Sequence, residues 1–451
     1  MTEQMHQSGR NPKVRNAIFH YASDRIDVDP PLDGPKTKAE LDQLAGQTIT
    51  ESGLGGEAAL KLFEDVLAPA TISTDHPNYL SFIPTAPTEL ATMFDLVVSA
   101  SSIYGGSWKE GAGAVFAENQ VLEFLARECG LPESSGGLFV QGGTLGNLSA
   151  MVTAREKAKA KLGKQPWAII ASSEAHSSIK AVAKVMDCEI VLAQAEDSGS
   201  LTHAGAEAAI QEAKRQGLTP FAIVGTAGTT NFGILDDLEA IAKLAQEHQL
   251  WFHVDGAYGL AGILVPELKQ LYRGIEHADS FIVDPHKWLF APFDACALVY
   301  REPEFARLAH TQHGEYLEVL NHSGEFNPSD YGFNLTRRVR GLPLWFSMAA
   351  HGAALYRQAV KANVDLAFKI AEVIEQRPYL RLVRKPQLSV VVFERIGWEL
   401  ADYESWSEKL LADQFAFVVP SSHQGKPNTR FAIVNPLTKF EDLVTILDSM
   451  E

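Results

Sequence analysis

The chain has 451 residues, of which 46% are hydrophobic and 21% charged, a composition that is ordinary for a globular enzyme. Its 56 acidic and 39 basic side chains give a formal net charge of −17, which argues against nucleic acids and anionic membranes as partners because both attract basic surfaces. No stretch approaches the roughly 20 apolar residues that a membrane span needs. Three scattered cysteines without metal-ligand spacing, and a polar N-terminus without a hydrophobic signal core, predict a cytoplasmic protein with no metal site.

The first part of the chain predicts helices joined by polar segments. Residues 1–50 are mostly polar and contain a proline-rich turn at 29–35. Apolar residues at helical spacing, or helix-favouring composition, predict helices at 36–45, 55–67, 89–100 and 113–129. Because residues 1–50 have little core of their own, we expect this arm to pack on another part of the assembly.

Between about residues 138 and 300, short apolar strands alternate with helices. The predicted strands are 138–141, 167–171, 189–192, 221–226, 251–254, 280–283 and 297–300. The predicted helices between them are 146–162, 176–186, 203–216 and 238–247. This alternation predicts a mainly parallel sheet that is covered by helices on both faces. Ligands of such α/β sheets lie at the carboxyl ends of the strands.

After about residue 342, a long helix is predicted to lead into a smaller domain. Its predicted strands are 380–383, 388–394, 416–419 and 430–434, and its predicted helices are 405–414 and 439–449. No internal repeat or low-complexity segment interrupts the chain. The fold class is therefore predicted to be α/β, with a mainly parallel sheet flanked by helices and a smaller C-terminal α/β domain.

Two strand ends carry residues that predict chemistry. Asp284-Pro285-His286-Lys287-Trp288 follows the strand 280–283, and although an isolated lysine is usually a solvated surface residue, apolar surroundings lower its pKa. The neutral amine is then a nucleophile able to form a Schiff base. Upstream, the strand 251–254 is followed by Asp255, which can hold a pyridinium N–H, and by Ala257, which leaves room for a flat ring. Together these stretches predict a site for pyridoxal 5'-phosphate (PLP).

The two stretches also carry a family resemblance. His253-Val254-Asp255-Gly256-Ala257 together with Asp284-Pro285-His286-Lys287-Trp288 resembles the group II PLP-dependent amino-acid decarboxylases, the relatives of aromatic-L-amino-acid decarboxylase and glutamate decarboxylase. The resemblance extends from about residue 50 to the C-terminus. It implies the PLP-dependent aminotransferase-like fold (fold type I), an amino-acid substrate and a homodimer with shared active sites.

The resemblance further implies that the chain has three parts. Residues 1–100 are expected to form an N-terminal arm and helical segment that packs on the partner subunit. Residues 101–345 are expected to form the large PLP-binding domain, and residues 346–451 the small C-terminal domain.

The resemblance assigns several residues to the cofactor. Gln141-Gly142-Gly143-Thr144 follows a strand and opens a helix, which suits an anion, although a glycine-rich turn alone is more often only a tight turn. By resemblance, Gly143 and Thr144 bind the phosphate, and His176 stacks on the ring opposite Ala257 and orients the substrate carboxylate. Thr226 is expected near the phenolic oxygen of the ring. Asp255 keeps the pyridine nitrogen protonated, so that the ring accepts the electron pair released at Cα.

Catalysis also requires a proton donor for the carbanion that loss of CO2 leaves. The resemblance assigns this role to a tyrosine on a mobile loop of the neighbouring subunit. Asp330-Tyr331, followed by Leu335 and by Arg337-Arg338, matches that region, although the interval is shorter than in the aromatic enzymes. Tyr331 is therefore the predicted donor. His286, beside Lys287, is the alternative as proton donor or as a phosphate contact.

The substrate pocket is expected to be lined by Phe82, Thr85 and Tyr104, the last coming from the partner chain. Gly106 stands where the aromatic enzymes have a bulky ring, which alters the size of the pocket. No arginine in these stretches is clearly placed to bind a side-chain carboxylate, which disfavours glutamate.

The predicted activity is PLP-dependent decarboxylation of an aromatic or large apolar L-amino acid to the amine and CO2. A PLP-dependent aldehyde synthase or another PLP lyase is the nearest alternative. An aminotransferase is disfavoured because the pair His286-Lys287 belongs to the decarboxylase pattern. From a different class, a non-catalytic binding protein on the same fold is the second alternative.

Overall fold

A computed structural model describes residues 10–195, 199–312 and 325–451. Its strands are β1 (Gly136–Val140), β2 (Trp167–Ser172), β3 (Glu189–Ala193), β4 (Thr219–Thr226), β5 (Trp251–Asp255), β6 (Ser280–Val283), β7 (Cys296–Tyr300), β8 (Leu380–Arg384), β9 (Val390–Arg395), β10 (Pro420–His423) and β11 (Lys426–Ala432). The first seven form one sheet in the order β1-β7-β6-β5-β4-β2-β3, and the last four form a second sheet in the order β10-β11-β9-β8.

The α-helices surround these sheets. They are α1 (Pro12–Asp27), α2 (Lys38–Ala45), α3 (Gly56–Leu62), α4 (Glu89–Ser101), α5 (Trp108–Glu128), α6 (Gly143–Leu162), α7 (Ser177–Val185), α8 (His203–Arg215), α9 (Leu238–His248), α10 (Pro285–Trp288), α11 (Pro303–His310), α12 (Leu342–Gln376), α13 (Leu400–Ala412) and α14 (Phe440–Asp448). The predicted α/β fold is thereby confirmed: helices flank a mainly parallel sheet, and a smaller domain follows.

The pairing of the large sheet brings several strand ends together. Strands β2 to β6 pair in parallel, whereas β7 is antiparallel to both β6 and β1. In this register Thr226 lies beside Asp255, and Asp255 lies beside Ile282. The carboxyl ends of β4, β5 and β6 therefore lie at one edge of the sheet, so that the residues following them are neighbours.

The large sheet is stable because its central strands are apolar on both faces. Every residue of β2, β5, β6 and β7 is buried. Ile170 and Phe252 belong to one buried apolar cluster, and their chain neighbours Ile169 and Trp251 belong to another. Because successive side chains of a strand point to opposite faces, the two clusters are the cores on the two sides of the sheet. Such burial is typical of parallel sheets.

The C-terminal part differs from the prediction in one strand. The segment 416–419 makes only an isolated bridge, between Phe417 and Tyr79, and the strand lies instead at β10. The second sheet is antiparallel throughout. The 35-residue helix α12 leads into it and is broken only at Gly352, where φ is +76°. The predicted boundary between the large and the small domain, after residue 345, falls inside α12, which has no break at that point. This boundary therefore stays a prediction.

The N-terminal arm contains a helix that the sequence did not lead us to expect. Helix α1 begins with Asn11 as its N-cap, whose Oδ1 accepts from the N–H groups of Lys13 and Val14, and with Pro12 at its first position. Both residues favour a helix start, so this signal was present in the sequence. None of the residues of α1, α2 or α3 is buried. No helix in the described part of the chain combines the length and apolarity needed to cross a membrane.

Candidate active site

A cavity of about 470 Å³ opens at the carboxyl ends of β1, β5 and β6. Its volume lies within the range of roughly 300–1,000 Å³ that small-ligand pockets have. Seven of the predicted site residues line it: Gly143, Thr144, His176, Asp255, Ala257, His286 and Lys287. Two larger cavities, of about 720 and 770 Å³, contain none of the predicted site residues among their described lining residues.

Lys287 lies in the short helix α10, which directly follows β6. Its Nζ is 2.9 Å from Oδ2 of Asp284, whose side chain is only 2% exposed. Burial lowers the pKa of Lys287, but the charge of Asp284 and the hydrogen bond that it accepts outweigh burial, so the pKa is raised. This corrects the expectation that apolar surroundings lower this pKa, because the amine is part of a buried ion pair.

Asp255 is the last residue of β5 and is 4% exposed. Its Oδ1 accepts a hydrogen bond from the backbone N–H of Ala257 at 3.2 Å, and its Oδ2 accepts one from Nδ2 of Asn147 at 2.9 Å. Hydrogen bonds from N–H groups to a carboxylate are stronger than those between neutral groups. Both carboxylate oxygens of Asp255 thus accept from N–H groups, and their remaining lone pairs can accept the N–H of a pyridinium ring.

The glycine-rich turn closes one end of the cavity. Gly143 is the first residue of the 20-residue helix α6. A Cβ atom on Gly143 would lie 3.1 Å from Oδ2 of Asp284 and 3.4 Å from Cβ of Ala257, so the glycine keeps this end open. The first N–H groups of a helix have no acceptor inside the helix and favour an anion such as a phosphate.

Two histidines face the cavity in different ways. His176 caps α7, with Nδ1 accepting from the backbone N–H of Ser178 at 3.1 Å. Nδ1 of His286 is 2.7 Å from the carbonyl oxygen of Ala295, and its Nε2 is 3.8 Å from Oδ2 of Asp284. Burial lowers the pKa of His286, and the charge of Asp284 opposes this only in part. The imidazole of His286 is therefore neutral at neutral pH.

Thr226, Phe82 and Thr85 lie outside the cavity lining. Thr226 ends β4 beside Asp255. The Thr85 hydroxyl is buried and donates to the carbonyl oxygen of Ala291 at 2.9 Å. Phe82 is 57% exposed, and its carbonyl oxygen accepts from Arg430 at 3.4 Å. These positions leave the predicted contacts of the three residues with cofactor or substrate as predictions.

The segments around Tyr104 and Tyr331 (residues 104–106 and 329–335) are hydrogen-bonded to each other. The hydroxyl of Tyr104 donates to the carbonyl oxygen of Leu335 at 3.0 Å, and the N–H of Ser329 donates to the carbonyl oxygen of Gly106 at 3.1 Å. Tyr331 is 9% exposed, and its ring stacks on Phe326 with 4.3 Å between the ring centroids. Neither tyrosine is among the described residues that line the Lys287 cavity of its own chain.

Sequence patterns assigned no role to several residues of the cavity lining, including Asp284, Asn147 and Ser178. Asp284 lines the cavity and pairs with Lys287. Asn147 and Ser178 also line the cavity, and Asn147 binds both Asp255 and Ser178. Their positions next to the glycine turn and next to His176 are visible in the sequence, but their contacts span residues far apart in the chain.

The donors and acceptors of the cavity fit a phosphorylated pyridine aldehyde. Asp255 suits the ring N–H, the start of α6 suits the phosphate, and Lys287 is an amine for the aldehyde. In addition, the buried Oδ1 of Asp284, which lines the cavity, has no hydrogen-bond partner within the described ranges. Such atoms are uncommon in folded proteins and call for an unseen partner. The residues present therefore fit PLP.

Comparison with known proteins agrees with this chemistry. The model of the pyridoxal-dependent decarboxylase conserved domain matches residues 40–396. The chain is 29% identical to an aromatic-L-amino-acid decarboxylase of Bacillus atrophaeus, over 89% of this chain and 86% of that protein. It is 25% identical to a 4-hydroxyphenylacetaldehyde synthase of Rhodiola rosea (78% and 75%) and 26% identical to a histidine decarboxylase of Mus musculus (84% and 60%).

Solved structures match the fold along the whole chain. The structure of Oryza sativa TDC with PLP and tryptamine superimposes with a TM-score of 0.92 at 22% identity, covering 100% of this chain and 99% of that one. At this identity the likeness establishes the fold alone, whereas the family model covers well over half of the chain. The chain therefore belongs to the pyridoxal-dependent decarboxylase family and is a PLP-dependent carboxy-lyase.

Proposed function

We propose that this enzyme decarboxylates an L-amino acid with an aromatic or large apolar side chain and releases the amine and CO2. The observation that carries the proposal is the convergence of Lys287, Asp255 and His176 on one cavity. The described lining contains no arginine and includes the carboxylates of Asp255, Asp284 and Asp294. This charge disfavours substrates with an acidic side chain. The names of the relatives, aromatic-L-amino-acid and histidine decarboxylases, support a ring-bearing substrate.

The residues of the cavity have separate roles in this proposal. When bound, PLP supplies an electron sink for the pair released as the bond to the carboxylate breaks. Asp255 holds the ring N–H, and the start of α6 at Gly143 and Thr144 holds the phosphate. His176 covers one face of the ring and hydrogen-bonds the substrate carboxylate. Lys287 holds the cofactor in place between turnovers.

Tyr331 is the proposed proton donor to Cα, acting in the site of the partner subunit. Burial raises the pKa of Tyr331, so its hydroxyl keeps its proton at neutral pH. The bonding of the Tyr104 and Tyr331 segments to each other, apart from the Lys287 cavity of the same chain, supports a shared site. His286 is the alternative donor. Because its pKa is lowered, less of its imidazole is protonated at neutral pH, which makes it the less suitable donor. The assembly that this requires is a homodimer.

The first experiment is mass spectrometry of the products after the PLP-loaded enzyme is incubated with a panel of L-amino acids. We expect the amine from one aromatic or large apolar substrate, and no amine from the Lys287→Ala variant because the amine that holds the cofactor is gone. Lys161→Ala, which removes an exposed lysine of α6, is the matched control and keeps full activity. Full activity in Lys287→Ala would exclude the assignment of the site.

An aldehyde synthase is the second candidate, because relatives with this activity in their names are as similar as the histidine decarboxylases. In that case the same incubation in air consumes dioxygen and water and gives the aldehyde, ammonia and hydrogen peroxide with the CO2, in place of the amine. We expect the wild type to form the amine, and Tyr331→Phe to form less amine and some aldehyde because proton delivery to Cα is lost. Aldehyde as the main wild-type product would reverse the order of the two candidates.

The shared site is tested by mixing two variants. A mixed dimer contains one Lys287→Ala chain and one Tyr331→Phe chain. It has one intact active site only if Tyr331 of one chain acts in the Lys287 cavity of the other. Random mixing would then restore amine formation to about a quarter of the wild-type rate, because half of the dimers are mixed and half of their sites are intact. If mixed dimers form and no activity returns, Tyr331 does not act across the interface.

A further inference from the structure

Five buried side chains form one hydrogen-bonded chain that ends at Asp255. Nε1 of Trp251 lies 2.8 Å from Oγ of Ser280, which lies 2.8 Å from Nδ1 of His253. Nε2 of His253 lies 2.8 Å from Oδ1 of Asn147, whose Nδ2 lies 2.9 Å from Oδ2 of Asp255. All five residues are buried. Of these five side chains, only those of Asp255 and Asn147 line the cavity.

The direction of hydrogen-bond donation in this chain is fixed by its two ends. The indole N–H of Trp251 can only donate, and the ionised carboxylate of Asp255 can only accept. The N–H group of Asn147 therefore donates to Asp255, so its Oδ1 faces Nε2 of His253 and accepts the imidazole proton from it. With the proton of the neutral ring on Nε2, Nδ1 of His253 accepts from the hydroxyl of Ser280, which in turn accepts from Trp251. Burial lowers the pKa of His253 to about 4, consistent with this neutral ring.

A branch at Asn147 extends the chain to His176. The second N–H of Asn147 donates to Oγ of Ser178 at 3.0 Å, and this hydroxyl lies 2.9 Å from Nδ1 of His176. Because Ser178 accepts from Asn147, its own proton is free to be donated to His176. The backbone N–H of Ser178 also donates to Nδ1. Nδ1 of His176 is thus an acceptor, and the ring carries its proton on Nε2.

We propose that Asn147 is a positioning residue that joins Asp255 and His176, the groups at the edge and the face of the cofactor ring, into one hydrogen-bonded unit. Through this unit the buried Trp251, Ser280 and His253 set the orientation of the Asn147 amide. The amide in turn stabilises ionised Asp255 and keeps the Nε2 proton of His176 available to the substrate carboxylate. The proposal rests on the proposed roles of Asp255 and His176.

The tautomers can be measured without cofactor or activity. In cofactor-free protein labelled with ¹⁵N-histidine, at a pH where the rings are neutral, long-range ¹H–¹⁵N spectra are expected to show His253 and His176 protonated at Nε2. Asn147→Leu removes the acceptor of the His253 proton and is expected to shift that Nε2–H resonance. Thr153→Val, which removes a buried hydrogen bond elsewhere on α6, is the control and leaves it unchanged. Protonation of either ring at Nδ1 would overturn the proposal.

The coupling to Asp255 is measured by titrating the same proteins with PLP. Asn147→Leu is expected to weaken PLP binding by about tenfold or more, the effect of losing a hydrogen bond to a charged group, while Thr153→Val stays near wild type. In an Asp255→Ala background, Asn147→Leu is expected to have a smaller effect, because its link to Asp255 is already gone and only the branch to Ser178 and His176 remains. An equal loss in both backgrounds, or none in either, would refute the proposal. If wild-type protein bound no PLP, the proposed function would fall, and the tautomers would still decide the hydrogen-bonded chain.

Discussion

The ion pair of Lys287 and Asp284 determines how the amine of this site behaves before the cofactor binds. A lysine that is only buried would lose its proton more easily, since desolvation disfavours the charged form. Here the carboxylate at 2.9 Å reverses the direction, and the pKa of Lys287 is raised. The protonated amine is not a nucleophile. At neutral pH, therefore, the cavity holds Lys287 in its charged, unreactive form.

Asp284→Asn is predicted to change the rate at which cofactor-free protein combines with PLP. Removing the carboxylate leaves desolvation as the main influence, so the pKa of Lys287 falls and more of the amine is neutral at a given pH. The rate constant at pH 7 rises, and the midpoint of its pH profile moves to lower pH. Stopped-flow absorbance between pH 6 and 10 measures the rate constant. Because the raised pKa of Lys287 places the wild-type midpoint above the unperturbed value of about 10.4, the wild-type rate is still rising at pH 10, whereas the profile of Asp284→Asn levels off at lower pH.

The variant Asp294→Asn distinguishes the effect on the pKa of Lys287 from electrostatic repulsion between a carboxylate of the cavity and the phosphate of PLP. Asp294 also lines the cavity, but its carboxylate pairs with Arg340 at 2.9 Å and not with Lys287. Its removal reduces negative charge near the entering phosphate and is expected to change the rate without moving the midpoint. An unchanged midpoint in Asp284→Asn as well would mean that the ion pair does not govern the reactivity of Lys287.

At the scale of elements, a buried ion pair holds the segment after Tyr331 against the body of the enzyme. Nη2 of Arg337 is 2.8 Å from Oε2 of Glu118 in α5, and both side chains are 2% exposed. Oε1 of Glu118 accepts from the N–H of Gly341 at 2.8 Å, just before α12. Nη1 of Arg337 donates to the carbonyl oxygen of Gly105, next to Tyr104. The Glu118–Arg337 pair thus joins α5, the start of α12 and the segments around Tyr104 and Tyr331, which are proposed to act in the active site of the partner subunit.

Glu118→Ala is predicted to destabilise the enzyme by about 3–5 kcal/mol, because it leaves the Arg337 charge buried without its counter-ion. Urea unfolding followed by tryptophan fluorescence measures the free energy of unfolding. Glu123→Ala removes an exposed carboxylate of the same helix and is expected to change stability by less than about 0.5 kcal/mol. Equal stabilities of the two variants would show that the pair does not hold these elements together.

At the scale of the whole molecule, the N-terminal arm exposes apolar surface that a single chain does not cover. The exposed apolar side chains of residues 10–50 include Ile18, Phe19, Val28, Leu44 and Ile49. Ile18 and Phe19 are neighbours in α1, and adjoining exposed apolar side chains commonly mark a protein–protein interface. This surface supports the proposed homodimer, in which the arm packs on the partner subunit.

Replacing Ile18 and Phe19 together by Asp is predicted to weaken the dimer, because two charges would then have to be buried at the interface. Light scattering coupled to size-exclusion chromatography measures the mass at several protein concentrations. Asn16→Asp places a charge on an exposed polar position of the same helix and is expected to leave the mass at that of a dimer. A wild-type mass of one chain, or equal masses of both variants, would contradict the role of the arm.

Local sequence patterns determined the sheet and the residues at its edge. Alternating apolar strands and helices predicted β1 to β7, because parallel strands buried on both faces need continuous apolar runs. Gly143, Asp255 and Lys287 then had to converge, since the carboxyl ends of such strands share one edge. The glycine turn and the strand-end acid and lysine are short motifs that need no knowledge of distant contacts.

Only the tertiary structure decided the interactions between residues far apart in the chain. The sign of the Lys287 pKa shift depends on the balance of burial and a charge 2.9 Å away, and a motif does not contain that distance. The link from Asn147 to Asp255 and Ser178 spans three separate elements. The position of Tyr331, apart from the cavity of its own chain, follows from the stacking of its ring on Phe326 and from the hydrogen bond that its carbonyl oxygen accepts from the hydroxyl of Tyr300. Sequence patterns report local conformation, whereas electrostatics and hydrogen bonding act through space.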